Sequence, residues 1–347
     1  MFGTYRTYLA LAVMAHHLLG IPLIGPYAVD GFFILSGFLM THIMHKTYGY
    51  TAKGGGAFAF NRMLRLYPSY WTVLALTVCI IWMFGEEEIT TYRYVIYLPE
   101  TIGAWISNLL LIYPSPSPQS ILPRLSPPTW ALTVELFYYA CIGLGITKSK
   151  QITLIFCITS CVYLLLQEIP FVDYSWLHSS LIEGAFPFAL GGLLYHYKSI
   201  ILKKLGLINS PALIVILLLF FTVNPAAALI CEELFGIEIE RISHWINYLL
   251  NFVLIAMLIE GKIPLLNKKV DKLIGDYSYP IYLAHWQIGF LSSMLLFNEP
   301  IRGASLMSLK SFTLAVLIIF GVATFIIYAV DRPIEVFRKY IKGKAMK

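Results

Sequence analysis

Long apolar runs alternate with short polar connectors along almost the whole chain. The runs fall at about 7–25, 28–45, 66–84, 127–146, 152–167, 180–197, 212–230, 244–259, 279–297 and 311–330. Most approach the roughly 20 residues needed to cross a hydrocarbon core about 30 Å thick. The pattern predicts an all-α fold, a polytopic membrane protein of about ten transmembrane helices forming a single domain over 1–347. A further apolar stretch at about 95–113 is broken by Pro99, Glu100 and Asn108 and is predicted to lie at the interface or re-enter. The first run lacks a small-residue cleavage site before a polar stretch, so it reads as an uncleaved span.

The basic residues orient this array. With the N-terminus in the cytoplasm, ten crossings put all but five of them on the inner side. The exceptions are Arg93, Arg124, Arg241, Arg302 and Lys310. Both termini are therefore expected in the cytoplasm, by the excess of Lys and Arg in cytoplasmic loops. Counting 95–113 as a crossing would invert every later loop and erase the asymmetry. The connector Pro114-Ser-Pro-Ser-Pro118 is not helical, because proline lacks a donor and restricts the residue before it. It belongs to an outer loop. Gly54-Gly55-Gly56 reads as a flexible linker, since it lacks the Lys-Ser/Thr of a phosphate loop.

Composition agrees. Hydrophobic residues make up 58% and charged residues 13%, with mean hydropathy +0.73, against roughly 25% charge in soluble domains. The net charge of +6 is accounted for by topology, so no nucleic-acid partner is implied. The cysteines Cys79, Cys141, Cys157, Cys161 and Cys231 are scattered. They make neither a disulfide framework nor a metal motif, and no metal is expected.

Ionisable groups inside apolar runs are costly and are usually retained for function. Arg6 stands where the first run begins. His17 follows about 16 Å further along a helix, near the membrane midplane, at about 1.5 Å rise per residue. His16 is turned about 100° away and is expected to face elsewhere. Asp30, Glu135 and Glu183 are the acidic residues within spans. Arg62 and Arg65 share one helix face at i,i+3 and offer the planar donor forks that suit phosphate; anchoring to the cytoplasmic interface is the simpler alternative. Glu135 lies one to two turns inside the run opened by Pro127-Pro128-Thr129-Trp130. His285 lies at a depth comparable with His17 and shares a face with Tyr282. Each group also has a structural reading, as a hydrogen bond between helices.

Taken together and in order, these segments resemble the acyltransferase 3 family of bacterial integral membrane acyltransferases. The likeness covers nearly the whole chain. It rests on Arg6-x10-His17, on Asp30-Gly-Phe-Phe-Ile-Leu-Ser36-Gly37-Phe38 and on Arg62-x-x-Arg65-x-x-Pro68. It rests also on Trp130-x-Leu-x-x-Glu135-x-Phe-Tyr138, on Ser278-Tyr279-x-x-Tyr282-x-x-His285 and on Asp331-Arg332-Pro333. Two departures are visible. Gly3 stands where the family often carries an Asp, and the SGNH-hydrolase domain fused to some members is absent.

The resemblance implies transfer of an acyl group, most often acetyl from acetyl-CoA, to a hydroxyl of a cell-envelope or exported glycan or a lipid-linked sugar. It implies a bacterial inner-membrane location and, for a chain without the hydrolase domain, a possible separate acyl-transfer or polymer-assembly partner. On this reading Arg6, Arg62 and Arg65 bind the CoA phosphates. His17 acts as base or briefly carries the acyl group. Asp30 or Glu135 orients a histidine. Ser36, Trp130, Tyr138, Tyr282 and His285 line the substrate path. The competing class is a multispan transporter or flippase for a glycan or lipid-linked sugar; it predicts paired halves, and the sequence shows no such symmetry.

Overall fold

Every regular element among the described residues is helical. A helix satisfies its own backbone groups where no water is available to do so. The computed structural model describes residues 2–167, 180–205, 210–237, 239–260 and 266–345. Lys262 and Lys347, which enter the charge map, lie outside them.

The chain opens with α1 (Gly3–Leu19) and α2 (Ile24–Ile43), which continues through a π-helical turn, Met44–Tyr48. Next come α3 (Ala52–Phe84), the short α4 (Glu86–Tyr92) and α5 (Ile102–Leu110), then α6 (Thr129–Leu144) and α7 (Lys150–Gln167). They are followed by α8 (Ala185–Leu205), α9 (Pro211–Phe235), α10 (Glu240–Glu260) and α11 (Lys268–Asp276). The chain closes with α12 (Ser278–Phe297), α13 (Leu306–Ile326), a second π-helical turn (Ile327–Asp331) and α14 (Arg332–Ala345).

Among the described residues, five helical segments are long and apolar enough to cross a membrane: Ile24–Tyr48, Ala52–Phe84, Pro211–Phe235, Glu240–Ile259 and Leu306–Ile341. Thr129–Leu144 and Lys150–Leu166 are shorter apolar helices. Three further predicted spans coincide with α1, α8 and α12, whose apolar character is diluted by Arg6, His16 and His17, by His196 and three lysines, and by His285, Gln287 and three serines. Dilution follows burial. Two-thirds of the apolar window of α2, 67%, is inside the molecule, against 22% for α9. Helices at the centre can carry polar groups because protein surrounds them; those at the rim meet lipid.

Close helix approach in the centre depends on glycine. Gly37 on α2 faces Phe188, and Gly191 on α8 faces Ile34; a Cβ at either would overlap the opposite backbone. Small residues of this kind let membrane helices pack at short range. The stretch 95–113 yields only the nine-residue α5, in keeping with a segment that does not cross. Asn108 organises the loop around it. Its Nδ2 donates to Ala104 O and Pro123 O, and its Oδ1 accepts from Leu125 N at 2.9 Å. Arg124, 1% exposed, donates to the carbonyls of Gln119, Ile121 and Pro127. A charge so deeply buried needs this saturation.

Two expectations are corrected. Gly54-Gly55-Gly56 is the first turn of α3, not a linker. Thr51 caps it by accepting from Gly54 N at 3.1 Å, and Gly54 sits so close to Tyr48 that a side chain would not fit. His16 does not face away from His17. The chain turns back at Gly20, in left-handed conformation at φ 69°, so that His16 Nδ1 meets Ile21 O at 2.6 Å. Gly25 leaves room for its ring.

Candidate active site

Two cavities adjoin α1, one near each end. The first, about 160 Å³, is lined by Arg6, Ser36, Arg62, Arg65, Glu135, Tyr139 and Tyr279 among others. It is called here the arginine cavity. The second, about 100 Å³, is lined by His16, His17, Asp30, Trp130, Glu183 and His244 among others, and is the histidine cavity. Val29, Phe33 and Tyr282 line both and form the septum between them. Tyr282 is fixed there by donating to Pro128 O at 3.0 Å.

The arginine cavity carries surplus positive charge. Arg65 pairs with Asp331 at 3.3 Å and lies 5.4 Å from the centre of the Tyr279 ring. Asp331 also accepts from Ser69 at 2.5 Å, which places the Asp-x-Pro segment of the last helix as an anchor for Arg65. Arg6 and Arg62 have no carboxylate partner among the described residues. Arg6 donates to Gly275 O at 3.3 Å, and Arg62 to Asn61 Oδ1 at 3.2 Å. The buried Nε of each lacks a hydrogen-bond partner. Such donors are costly to bury unless a ligand takes them up. Glu135 faces the same cavity and accepts from Ser36 Oγ at 2.6 Å and from Tyr139. Outside the spans, burial pushes the Asp276 carboxyl above its usual range, against the pull of Lys272 and Arg65.

The histidine cavity is built differently. His17 stacks on His285, ring centres 5.2 Å apart and planes 2° from parallel, and leans on Trp286 at 4.9 Å. No hydrogen bond to His17 is found among the described residues. His285 is fully buried; its Nδ1 meets Tyr282 O at 2.8 Å and its Nε2 has no partner. Arg93 and Arg302 lie over the Trp286 ring at 4.8 and 5.6 Å. Asp30 is joined to His244 Nε2 at 2.8 Å and accepts from Asn247 Nδ2 at 3.0 Å.

The sequence-predicted residues thus divide. Arg6, Arg62, Arg65, Ser36 and Glu135 meet in one cavity, His17, Asp30 and Trp130 in the other, and Tyr282 in the wall between. His285 stands behind His17 rather than on the lining. Tyr138 is buried, donates to Leu181 O at 2.6 Å and stacks on Phe188 at 4.6 Å, packing beneath the site. Sequence reasoning missed His244 and Tyr139. Tyr139 was detectable one turn after Glu135. His244, Asn247 and Asn251 recur at i, i+3 and i+7 on an apolar helix, a polar stripe of helical period. Among the described residues no cluster of three His, Cys, Asp or Glu side chains is placed to hold a metal ion.

The arrangement brings an anion-attracting pocket against a chamber of imidazoles and carboxylates. That suits passage of a group from a phosphorylated carrier to a second substrate. Comparison with curated proteins and with solved structures returns no match. A family model described as an acyltransferase domain matches residues 4–332. The chain belongs to the acyltransferase 3 family.

Proposed function

We propose that this membrane acyltransferase moves an acyl group, most often acetyl, from acyl-CoA across the septum to a hydroxyl of a cell-envelope or exported glycan or lipid-linked sugar. The observation that carries the proposal is the pairing of the cavities. Arg6, Arg62 and Arg65 face one space, and among the described residues one carboxylate, Asp331, pairs with them, at Arg65. That space shares a wall with the chamber holding His17. Guanidinium forks bind phosphate through paired, charge-assisted hydrogen bonds. The CoA phosphates sit among the arginines, and the thioester reaches His17 past Val29, Phe33 and Tyr282. The excess of basic residues in the loops on one side supports a reading in which the arginine cavity faces the cytoplasm of a bacterium, where acyl-CoA is made, from the inner membrane.

Among the described residues, no carboxylate pairs with His17 and no hydrogen bond reaches its ring nitrogens. His17 acts as the acyl carrier. A ring nitrogen attacks the thioester carbon; the carbon–nitrogen bond forms and the carbon–sulfur bond breaks. The thiolate leaves with the proton of the other ring nitrogen, giving CoA thiol and a neutral N-acylimidazole. Trp130 and the remaining lining of the histidine cavity receive the acceptor.

Mass spectrometry of surface glycans tests the proposal, with cells carrying the gene, lacking it, or carrying His17→Ala. The expected result is a mass step of one acyl group present only in the first. An unchanged glycan in the deletion strain overturns glycan acylation. Wild-type acylation by His17→Ala overturns the carrier.

A further inference from the structure

On the wall of the histidine cavity is a second imidazole whose surroundings differ from those of His17. His244 Nε2 lies 2.8 Å from Asp30 Oδ2. Its ring is sandwiched between Tyr27, 5.2 Å away and 28° from parallel, and Tyr248, 4.8 Å away and 23° from parallel. Nδ1 takes no hydrogen bond among the described residues, and the residue lines the cavity. A carboxylate on one nitrogen and open space at the other is the arrangement that lets an imidazole take a proton from a bound hydroxyl.

Asp30 is itself set up as an acceptor. A chain of hydrogen bonds runs to it through the interior. Tyr5 Oη donates to Asn251 Oδ1, Asn251 Nδ2 to Asn247 Oδ1 at 2.7 Å, and Asn247 Nδ2 to Asp30 Oδ2 at 3.0 Å. Every donor points towards the carboxylate, and bonds aligned in series polarise one another. The chain gives Asp30 Oδ2 a donor besides His244, and a carboxylate together with two aromatic faces favours an imidazolium at His244. Gly31 makes room for it: a Cβ there would strike Asn251 Oδ1 and Tyr5 Oη.

We propose that His244 is the acid–base residue of the second half of the reaction, with Asp30 as its positioning residue. This rests on the acyl-transfer reading above. His244 Nδ1 takes the acceptor hydroxyl proton as that oxygen bonds to the acyl carbon. The carbon–nitrogen bond to His17 breaks, and the proton on His244 passes to the departing ring nitrogen. Both histidines return to neutrality with no further reactant.

The two halves can be separated with the full-length protein in liposomes and an acyl-CoA donor. One acceptor is a methyl glycoside, an alcohol that needs a base; the other is hydroxylamine, a nucleophile that does not. His244→Gln is expected to slow acylation of the alcohol by about 10²- to 10⁴-fold, the usual contribution of a general base. Hydroxamate formation and the initial release of CoA without acceptor should stay within about threefold of wild type, a margin small against that loss. Asp30→Asn should lower kcat for the alcohol with KM little changed, and Asp30→Glu should recover part of it. Equal loss with both acceptors in His244→Gln would make the residue structural and overturn the proposal. An undiminished alcohol rate would also overturn it, while leaving acyl transfer itself standing. A wild-type protein that releases CoA with neither acceptor would sink the acyl-transfer reading first, and this assignment with it.

Discussion

In the arginine cavity three guanidiniums meet Glu135, and among the described residues only Arg65 has a carboxylate within 4 Å. In the histidine cavity Asp30 and Glu183 share the lining with three imidazoles. The same helix, α1, supplies Arg6 to one and His16 and His17 to the other. One space carries a surplus of fixed charge; the other holds imidazoles and carboxylates, groups able to take up and give back a proton. Fixed charge suits a polyanion that must be bound and released unchanged. Proton-exchanging groups suit the bond-making step. The septum of Val29, Phe33 and Tyr282 keeps the two environments apart.

Removing His17 should break the comparison most completely. In His17→Ala the acyl group loses its carrier, and transfer should fall to background, a loss on the order of 10⁴-fold or more, as for removal of other catalytic nucleophiles. Binding of acyl-CoA should persist because the arginine cavity is intact. Radiolabelled acyl-CoA binding and product formation measured on one preparation would separate the two, and loss of both together would count against two functionally distinct cavities.

The arginines give the next largest effect, and they should not behave alike. Arg62 has no carboxylate to abandon, so Arg62→Ala should raise KM for acyl-CoA by about 10- to 100-fold, the worth of a charge-assisted bond, with little change in thermal stability. Arg65→Ala leaves Asp331 without its guanidinium. It should also destabilise the fold by about 1–3 kcal/mol, read as a lower Tm in detergent. Equal Tm values for the two variants would refute the distinction drawn between them.

Opening the septum should be smaller but more telling. Tyr282→Ala removes one of the two rings common to both linings, with its bond to Pro128 O. Water then reaches the acyl group, and CoA release without acceptor should rise several-fold while acceptor turnover falls. That uncoupling is absent if the two spaces are independent. Tyr282→Phe keeps the ring and loses about 1 kcal/mol of hydrogen bonding, so it should remain coupled.

These residues also show how far a sequence can be read. The all-helical character of the described residues, the absence of a long helix at 95–113 and the shared face of Arg62 and Arg65 follow from patterns between near neighbours in the sequence, and such patterns survive in a one-dimensional string. The partner of Asp30 does not. Asp30 and His244 are 214 positions apart, and helix packing alone decides that Asp30 serves His244 while His17 stacks on His285. The triple glycine was misread for a related reason. Glycine disfavours a helix interior by about 1 kcal/mol relative to alanine, but the Thr51 cap and the close approach of Tyr48 to Gly54 override that local preference.

The smallest predicted effect concerns the start of α1. Gly3 occupies the place where the family often carries an Asp, and the helix has no side-chain cap from its own flank. Asp271 on α11 supplies one from 268 positions away. Its Oδ2 accepts from Gly3 N at 3.0 Å, and its Oδ1 accepts from Thr4 N and Thr4 Oγ1, both at 3.0 Å. The backbone of α11 lies so near that a Cβ at residue 3 would overlap Asp271 O and crowd Gly275, so an Asp would not fit there. A carboxylate at a helix N-terminus is favoured by the free N–H groups and by the helix dipole. Asp271→Ala should therefore cost about 0.5–2 kcal/mol, the range for loss of a cap. Asp271→Asn, which keeps an acceptor, should cost less. Because Arg6 lies one turn beyond the cap and donates to Gly275 O, the same loosening should raise KM for acyl-CoA by a factor of a few, without touching the steps at His17. A Tm drop in Asp271→Ala with an unchanged KM would show that the cap holds the helix and not the arginine.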